Sequence, residues 1–255
     1  MARIIRIGLL LFVLLVVAQG AWIARGRTTD WKEPLRVVVY PINGDRSAAA
    51  ETYLKQLPQN GFEPLALYIR EQARIHGLPL RVPVEMYVAP RVDALPPEPP
   101  RQGSRLEVMW WSLQLRFWAW RNDGWSGPKA HVRMFVKYFA PRPNVRLQHS
   151  VGLRQGLIGV VNAFASTDME GSNHVVIAHE LLHTFGATDK YDPATNQPLF
   201  PDGYAEPNAN PSLPQSKAEI MAGRIPLSAT QAETPGGLDE TVIGAMTARE
   251  ISWAK

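Results

Sequence analysis

Cysteine is absent from this chain of 255 residues. Its absence excludes disulfide bonds and thiolate zinc sites, so any metal site must use histidine and carboxylate ligands. A basic stripe with interleaved aromatic residues is also lacking. The formal net charge is +4, but residues 1–30 hold four arginines and one aspartate, so they carry +3 and the other 225 residues only +1. This charge distribution argues against nucleic-acid binding.

A long hydrophobic run occurs only once, over residues 7–24. These eighteen residues carry no charge and follow Arg3 and Arg6, a pattern typical of a short membrane anchor and also of a signal peptide. Trp22 and Arg25 favour the anchor, because both residue types are common where a membrane segment meets water. Both interpretations place the rest of the chain outside the cytoplasmic membrane, either anchored to it or secreted to the periplasm or the exterior.

The rest of the chain predicts one folded domain. Residues 1–24 are the anchor or signal segment, residues 25–34 a short polar linker, and residues 35–255 the domain, since 45% of the chain is hydrophobic and can build a good core. Hydrophobic periodicity predicts strands at residues 35–40, 80–88, 132–139 and 156–164, and helices at residues 47–57, 62–76, 105–120 and 238–253.

The most informative segment runs from His179 to Asp192 and reads His-Glu-Leu-Leu-His-Thr-Phe-Gly-Ala-Thr-Asp-Lys-Tyr-Asp. His179 and His183 are four residues apart, so on a helix their imidazoles lie on one face and can hold one metal ion. Glu180 is rotated away from this pair but stays close enough to reach a water on the metal. This is the position that a general base needs.

Sequence signals bound the helix that carries this motif. Ser172 or Asn173 provides an N-terminal cap, and Gly186 allows the helix to stop with a left-handed residue. The chain can then turn back and bring Asp189 to the metal as a third ligand. Three protein ligands with an open position for water are typical of a catalytic zinc site, whereas a structural site is closed by a fourth ligand.

This pattern resembles the extended motif of the metzincin clan of zinc peptidases, His-Glu-x-x-His-x-x-Gly-x-x-His/Asp, in the variant with aspartate in third place. Residues 186–192 are also similar to the Gly-Leu-Pro-Asp-x-Tyr-Asp of secreted immune-inhibitor-type metallopeptidases. Glu219-Ile220-Met221-Ala222-Gly223 resembles the Met-turn that metzincins place beneath the metal. Gly223 stands where some metzincins have a tyrosine, so no tyrosine ligand is implied. The resemblance covers about residues 156–225.

The resemblance implies an α+β fold: a twisted mixed β-sheet backed by helices, with the active-site helix beneath the sheet and a C-terminal helix. One of the strands at residues 132–139 and 156–164 should form the sheet edge above the metal, where peptidases pair a substrate strand. Residues 193–218 are rich in proline and asparagine and should line the lower wall of the substrate cleft.

The residues predict a zinc-dependent endopeptidase or amidase acting on a protein or peptide substrate. Zn²⁺ held by His179, His183 and Asp189 lowers the pKa of its water toward neutrality. Glu180 then takes the proton of this water and passes it to the leaving nitrogen.

Two alternatives remain open. In a thermolysin-like site a glutamate farther along the chain completes the ligand set, and Glu219 is the candidate. A membrane-tethered zinc-binding module without turnover could use the same histidines, although it would have no need of Glu180.

Four further residues have candidate roles near the metal. Tyr191 and Asp192 lie beside it in sequence, and Asp192 either orients a histidine, binds calcium or is a solvated turn residue. Tyr204 could donate a hydrogen bond to the oxyanion. His174 is expected at the surface, because it lies near the start of the helix.

The helix predicted at residues 105–120, with Ser104 as its cap, is rich in tryptophan and apolar around much of its circumference. Either it is buried on two sides, or one aromatic face contacts the bilayer surface or a hydrophobic partner.

Overall fold

The computed structural model describes residues 30–100, 104–142, 150–154 and 156–254, together with the single residues Gly8, Gly26, Thr28 and Leu147. The expected anchor or signal segment lies outside the described residues apart from Gly8. Within the part that is described, no helix has the length and apolarity needed to cross a membrane.

The chain forms one mixed sheet of five strands, which are β1 (Leu35–Asn43), β2 (Val84–Val88), β3 (Val132–Phe139), β4 (Val151–Leu153) and β5 (Ile158–Phe164). They lie in the order β2-β1-β3-β5-β4. The first four are parallel, and β4 runs antiparallel to β5. The predicted mixed sheet is therefore confirmed.

Five helices are described, namely α1 (Ala48–Gln56), α2 (Glu63–Ile75), α3 (Arg105–Arg121), α4 (Glu170–Phe185) and α5 (Ala245–Glu250). Four two-residue strands pair among themselves in the C-terminal part, namely β6 (Ala218–Glu219) with β9 (Thr241–Val242) and β7 (Ile225–Pro226) with β8 (Ala232–Glu233). The α+β class is therefore confirmed.

The two faces of β1 build two separate core layers. Val37 and Val39 pack in a cluster with residues of α1, α2 and α4 on one side of the sheet. Val38 and Tyr40 belong to a second cluster on the other side, where α3 covers the sheet. Successive side chains of a strand point to opposite faces, so one continuous apolar run serves both layers, as is typical of buried parallel strands.

The expectation for the sheet edge is wrong. β3 lies between β1 and β5, and β5 is paired on both sides, so neither strand forms an edge. The edges are β2 and β4, and β4 is a strand of three residues that the hydrophobic pattern does not reveal. β4 pairs with the adjacent β5, but three residues of intermediate burial are too short a run for periodicity to reveal.

The predicted C-terminal helix over residues 238–253 is also wrong. A 3₁₀ turn (Leu238–Glu240) and β9 occupy its first half, and only α5 is helical. The backbone amides of Ile243 and Gly244 donate to the side chains of Gln72 and Glu219, at 2.8 and 3.0 Å. These tertiary hydrogen bonds replace the helical ones and hold the segment extended.

The folded domain begins earlier than expected, because Trp31 in the predicted linker is only 4% exposed. Its ring packs edge-on against Phe185 and Trp253, and its indole N–H donates to the Ile251 carbonyl at 2.7 Å. Trp31 thus joins the start of the domain to the end of α4 and to the C-terminal segment.

Candidate metal centre

Helix α4 carries the motif of His179, Glu180 and His183, and its other faces are buried in the core. Ile177, Ala178, Leu181 and Leu182 are fully buried and pack beneath the sheet. The helix begins at Glu170, after a 3₁₀ turn, rather than at the predicted Ser172 or Asn173 cap. The side chains of Ser172 and Asn173 make other hydrogen bonds.

Asn173 instead joins the helix to β5, because its side chain accepts from the Phe164 amide at 2.9 Å and donates to the Phe164 carbonyl at 2.8 Å. Ser172 donates to the Met169 carbonyl at 3.0 Å. Both side chains are therefore committed to bonds other than capping.

The helix ends as predicted at Gly186, whose φ of 115° lies in the left-handed region. The amides of Gly186 and Ala187 both donate to the Leu182 carbonyl at 3.0 Å, closing the last turn. A side chain at Gly186 would be strained at this φ. The reversal sends the chain back along the helix toward the two histidines.

This reversal brings Asp189 to the histidine pair. Asp189 Oδ1 lies 3.1 Å from the Nε2 atoms of both His179 and His183, and these two Nε2 atoms are 3.1 Å apart. The three residues form the one cluster of candidate metal ligands among the described residues. The structure thus assembles the ligand set that the sequence predicts.

Backbone carbonyls fix the orientation of both imidazoles. His179 Nδ1 donates to the Ile220 carbonyl and His183 Nδ1 to the Ala187 carbonyl, each at 2.9 Å. A carbonyl can only accept, so each Nδ1 carries the hydrogen and each neutral ring directs its Nε2 lone pair toward Asp189. Three electron pairs that converge in this way repel one another unless a cation lies among them.

The donor set fits zinc. Tetrahedral coordination at the usual ligand distances separates neighbouring ligand atoms by about 3.3 Å, close to the 3.1 Å observed here. Imidazole nitrogen and carboxylate oxygen are ordinary zinc ligands, and hydrogen bonds from the second ring nitrogen to backbone carbonyls commonly orient ligand histidines.

The pKa values within the cluster reflect strong mutual interaction. Burial acts to raise the pKa of Asp189, but its close interaction with His179 and His183 outweighs burial and holds that pKa well below its ordinary value. Burial acts to lower the pKa of His179, yet Asp189, Glu180 and the Ile220 carbonyl together raise it. The cluster therefore concentrates negative potential where a cation would lie.

Glu180 lies beside the cluster and is only 6% exposed. Its Oε2 atom is buried without a hydrogen-bond partner among the described residues. Burial raises the pKa of Glu180 above its ordinary value, although the nearby histidines partly oppose this. A buried carboxylate with a spare acceptor and a raised pKa is suited to accept and return a proton.

A cavity of about 410 Å³ opens next to His179 and Glu180. Apolar side chains supply much of its wall, including Phe164, Val176 and Ile220, and Arg224 also lines it. The cavity has the form expected of a binding pocket with a few polar groups. From the 193–218 segment only Asn196 reaches it among the described residues, so most of the expected lower wall is not formed by that segment.

The edge strand β4 passes directly over helix α4. A Cβ atom at Gly152 would lie 2.3 Å from the Glu180 carbonyl oxygen and 2.7 Å from His183 Cβ, so only glycine permits this approach. The other side of β4 has no paired strand among the described residues. An unpaired strand edge therefore lies directly above the candidate site.

Met221 lies in a tight turn, next to Ile220. Its side chain is fully buried, and the amides of Ala222 and Gly223 donate to the Glu219 carbonyl at 2.9 and 3.1 Å. Gly223 has a φ of 68°, which completes the turn without strain. The turn also supplies the Ile220 carbonyl that orients His179.

Glu219 supports the turn and is not part of the ligand cluster. Its carboxylate is fully buried and accepts hydrogen bonds from the amides of Met221, Ala222 and Gly244 and from the Thr247 hydroxyl, at 2.7 to 3.1 Å. Burial raises its pKa. Of the two candidate carboxylates, the fold brings Asp189 to the histidines and commits Glu219 to the C-terminal segment.

The remaining candidates have different positions. Tyr191 lines the cavity. Asp192 accepts from the Ala194 amide and the Thr195 hydroxyl at 2.9 and 3.1 Å, so it caps its own turn. Tyr204 stacks edge-on with Phe200 and does not line the cavity. Of these, only Tyr191 reaches the site.

The prediction that His174 lies at the surface is wrong. This side chain is only 7% exposed, and its Nε2 lies 3.0 Å from the Gly61 carbonyl oxygen. It therefore ties helix α4 to the loop before α2. Burial lowers its pKa.

Two residues that the sequence does not single out also support the site. Lys190 and Glu250 form an ion pair that fixes the segment carrying Asp189. Lys190 lies between Asp189 and Tyr191 and belongs to no recognisable sequence motif. No local sequence pattern could therefore have predicted its contact with Glu250.

Comparison with known protein families finds none that matches this chain, and comparison with curated proteins finds no significantly similar sequence.

Proposed function

We propose that this chain is a zinc-dependent peptidase in which Glu180 is the general base. The observation that carries the proposal is the convergence of His179, His183 and Asp189, with three ligand atoms 3.1 Å apart and both Nδ1 atoms held by carbonyls. Bound among these atoms, zinc would supply an acidified water and a positive charge that polarises a carbonyl group.

Glu180 performs the proton transfers. Its unpartnered Oε2 accepts the proton of the attacking water, and its raised pKa lets it hold that proton until the leaving nitrogen takes it. A general acid–base residue of this kind accelerates hydrolysis by about 10²–10⁴-fold. The adjacent cavity excludes bulk water from one side of the reacting bond and accepts a mainly apolar substrate side chain.

The unpaired edge of β4 orients the substrate. A peptide in extended conformation can add to this edge through backbone hydrogen bonds, which bind any sequence and place its carbonyl groups above α4. Specificity would then come from the cavity. Substrates with apolar side chains next to the cleaved bond are therefore expected to be preferred.

A metzincin-like fold is part of the proposal. A mixed sheet above α4, the left-handed stop at Gly186 and the buried turn at Met221 all support it. We further propose that residues 35–255 form a single catalytic domain on the outer side of the cytoplasmic membrane, attached by residues 1–24 or released after their cleavage. The support for this location is the apolar run behind Arg3 and Arg6.

Zinc content and peptide cleavage test the proposal. The full chain, purified without a metal-binding tag, should contain close to one zinc per molecule and should cleave members of a peptide library. Glu180→Gln should keep the zinc and lose roughly 10²–10⁴-fold in rate. Glu170→Gln, on the same helix with a carboxylate 43% exposed, is the matched control and should cleave at the parental rate.

Two outcomes would reject the proposal. One is cleavage at the parental rate by Glu180→Gln. The other is a parent chain that holds zinc yet cleaves no peptide of a broad library, in which case a tethered zinc-binding module becomes the better account.

A further inference from the structure

Helix α3 has two apolar faces, and only one of them packs against the sheet. Trp111, Leu115 and Ala119 form the core face and are at most 6% exposed. The opposite face repeats with helical spacing and points to solvent. Its members are Leu106, Met109, Trp110, Leu113, Phe117 and Trp120. All but Leu113 are between 56% and 72% exposed, far more than large apolar residues usually are when grouped together.

The exposed face is aromatic and has polar borders. The rings of Phe117 and Trp120 contact each other with centroids 5.8 Å apart. Glu107, Gln114 and Arg121 are exposed alongside the stripe. Tryptophan and phenylalanine on a narrow apolar stripe with polar flanks are typical of helices that lie in the plane of a membrane interface.

The chain that precedes the described domain indicates what covers this face. Residues 7–24 are apolar and uncharged, and seven residue steps separate Ala24 from Trp31, which is buried in the core. Such a segment spans at most about 25 Å when fully extended. If residues 7–24 enter a bilayer, the domain is held at the membrane surface.

The tether enters the fold at Trp31, which packs in the core cluster on the face of the sheet opposite to α3; the two are related by their position along the strands. The loop that follows α3 returns to the start of β1, where the side chain of Arg36 donates to the Lys129 carbonyl at 2.9 Å and its amide donates to His131 at 3.2 Å. The end of α3 that carries Phe117 and Trp120 is therefore at the same end of the sheet as Trp31. The helix is about 25 Å long, which is comparable to the reach of the tether.

We propose that the exposed apolar face of α3 lies in the surface of the lipid bilayer to which residues 7–24 attach the chain. The six side chains enter the headgroup region, and the polar flanks of α3 stay in water. The proposal rests on the membrane attachment by residues 1–24 that is proposed above, but not on the metal site or on peptidase activity, so it can fail while the zinc peptidase assignment holds.

The absence of cysteine allows a direct test in the full chain. A single cysteine at Phe117 (F117C) would carry an environment-sensitive fluorophore, with the protein reconstituted into vesicles of phosphatidylcholine and phosphatidylglycerol. Lys55→Cys on α1 is the matched control, because its side chain is 72% exposed and α1 packs on the opposite face of the sheet. The label at position 117 should be quenched several-fold more strongly than that at 55 by lipids brominated near the headgroup.

Equal quenching at both positions, or a full chain that does not float with the vesicles, would overturn the proposal. A label at 117 that is shielded from aqueous iodide but not quenched by brominated lipid would also overturn it, because a second copy or another protein would then cover the face. Met109→Cys, at another exposed position of the stripe, provides a second probe in case F117C fails to fold, as judged by circular dichroism.

Discussion

The buried ammonium group of Lys190 donates a hydrogen bond of 2.7 Å to the carboxylate of Glu250 in helix α5. The same ammonium donates to the carbonyl and hydroxyl oxygens of Thr188 at 2.8 Å, and the Thr188 amide donates to Glu250 at 2.9 Å. Lys190 also donates its backbone amide to the Met221 carbonyl at 3.0 Å. The residues on both sides of Asp189 are therefore fixed to α5 and to the turn whose Ile220 carbonyl orients His179.

Replacing Glu250 with glutamine should destabilise the protein, because it leaves the buried Lys190 ammonium without its charge partner. Because Lys190 is buried but Glu250 is partly exposed, the cost should be smaller than the roughly 3–5 kcal/mol typical of breaking a fully buried pair. Chemical denaturation of the parent and Glu250→Gln would measure the change. Glu71→Gln is the control, since Glu71 pairs with Arg74 on the surface and should leave the unfolding midpoint unchanged. An unchanged midpoint for Glu250→Gln would show that the pair does not stabilise the fold.

The stabilising effect of Glu250 should depend on pH. Burial acts to raise its pKa, but the hydrogen bonds of Lys190 and Thr188 outweigh this and lower the pKa below the ordinary value of 4.5. A lowered folded-state pKa means that the stabilisation is complete above pH 4.5 and is lost as the pH falls through the folded-state value. The difference in unfolding free energy between the parent and Glu250→Gln should therefore shrink in acid. A constant difference would contradict the lowered pKa.

Zinc retention should show whether Asp189 or Glu219 is the third metal ligand. Asp189→Ala removes an atom from the ligand cluster, so we expect it to lose most of its zinc during dialysis. Glu219→Gln should retain zinc but unfold at lower denaturant concentration. The backbone amides of Met221 and Ala222 donate to the Glu219 carboxylate, and in the variant they would face an amide nitrogen, which cannot accept these hydrogen bonds. Elemental analysis of both variants beside the parent measures this, and the reverse pattern would support the thermolysin-like alternative.

Gly152→Ala should push the edge strand away from helix α4, because its Cβ would overlap the Glu180 carbonyl oxygen. Overpacking of this kind typically costs about 1–3 kcal/mol, and peptide cleavage should fall while zinc content is retained. Gly124→Ala is the matched control, because nothing lies within 4 Å of its added Cβ. Unchanged cleavage by Gly152→Ala would argue that β4 does not orient the substrate.

The location can be tested with reporters fused to the C-terminus. Because Arg3 and Arg6 precede the apolar run, the domain should lie outside the cytoplasm. A reporter that is active only in the periplasm should therefore give a signal, and one that is active only in the cytoplasm should not. Cytoplasmic activity would refute both the anchor and the signal-peptide interpretations.

The sequence by itself determined the local features of this protein. Helical geometry depends on neighbouring residues, so the sequence shows it directly. It places His179 and His183 one turn apart, sets the position of Glu180 and ends the helix at Gly186. The parallel strands are visible for the same reason, since a buried strand is a short apolar run. Its spacing made Asp189 a candidate for the third metal ligand. A chain reversal by itself, however, does not determine where the side chain lies.

The tertiary structure decided the features that depend on partners distant in sequence. It placed Asp189 rather than Glu219 beside the histidines, buried His174 and Trp31, and made β4 the edge of the sheet. It also replaced the first part of the expected C-terminal helix with a 3₁₀ turn and an extended segment bonded to Gln72 and Glu219. The burial of His174 and Trp31 and the bonds to Gln72 and Glu219 join segments far apart in the chain. The positions of Asp189 and β4 depend on chain reversals of a few residues. Local periodicity carries no information about either kind of contact.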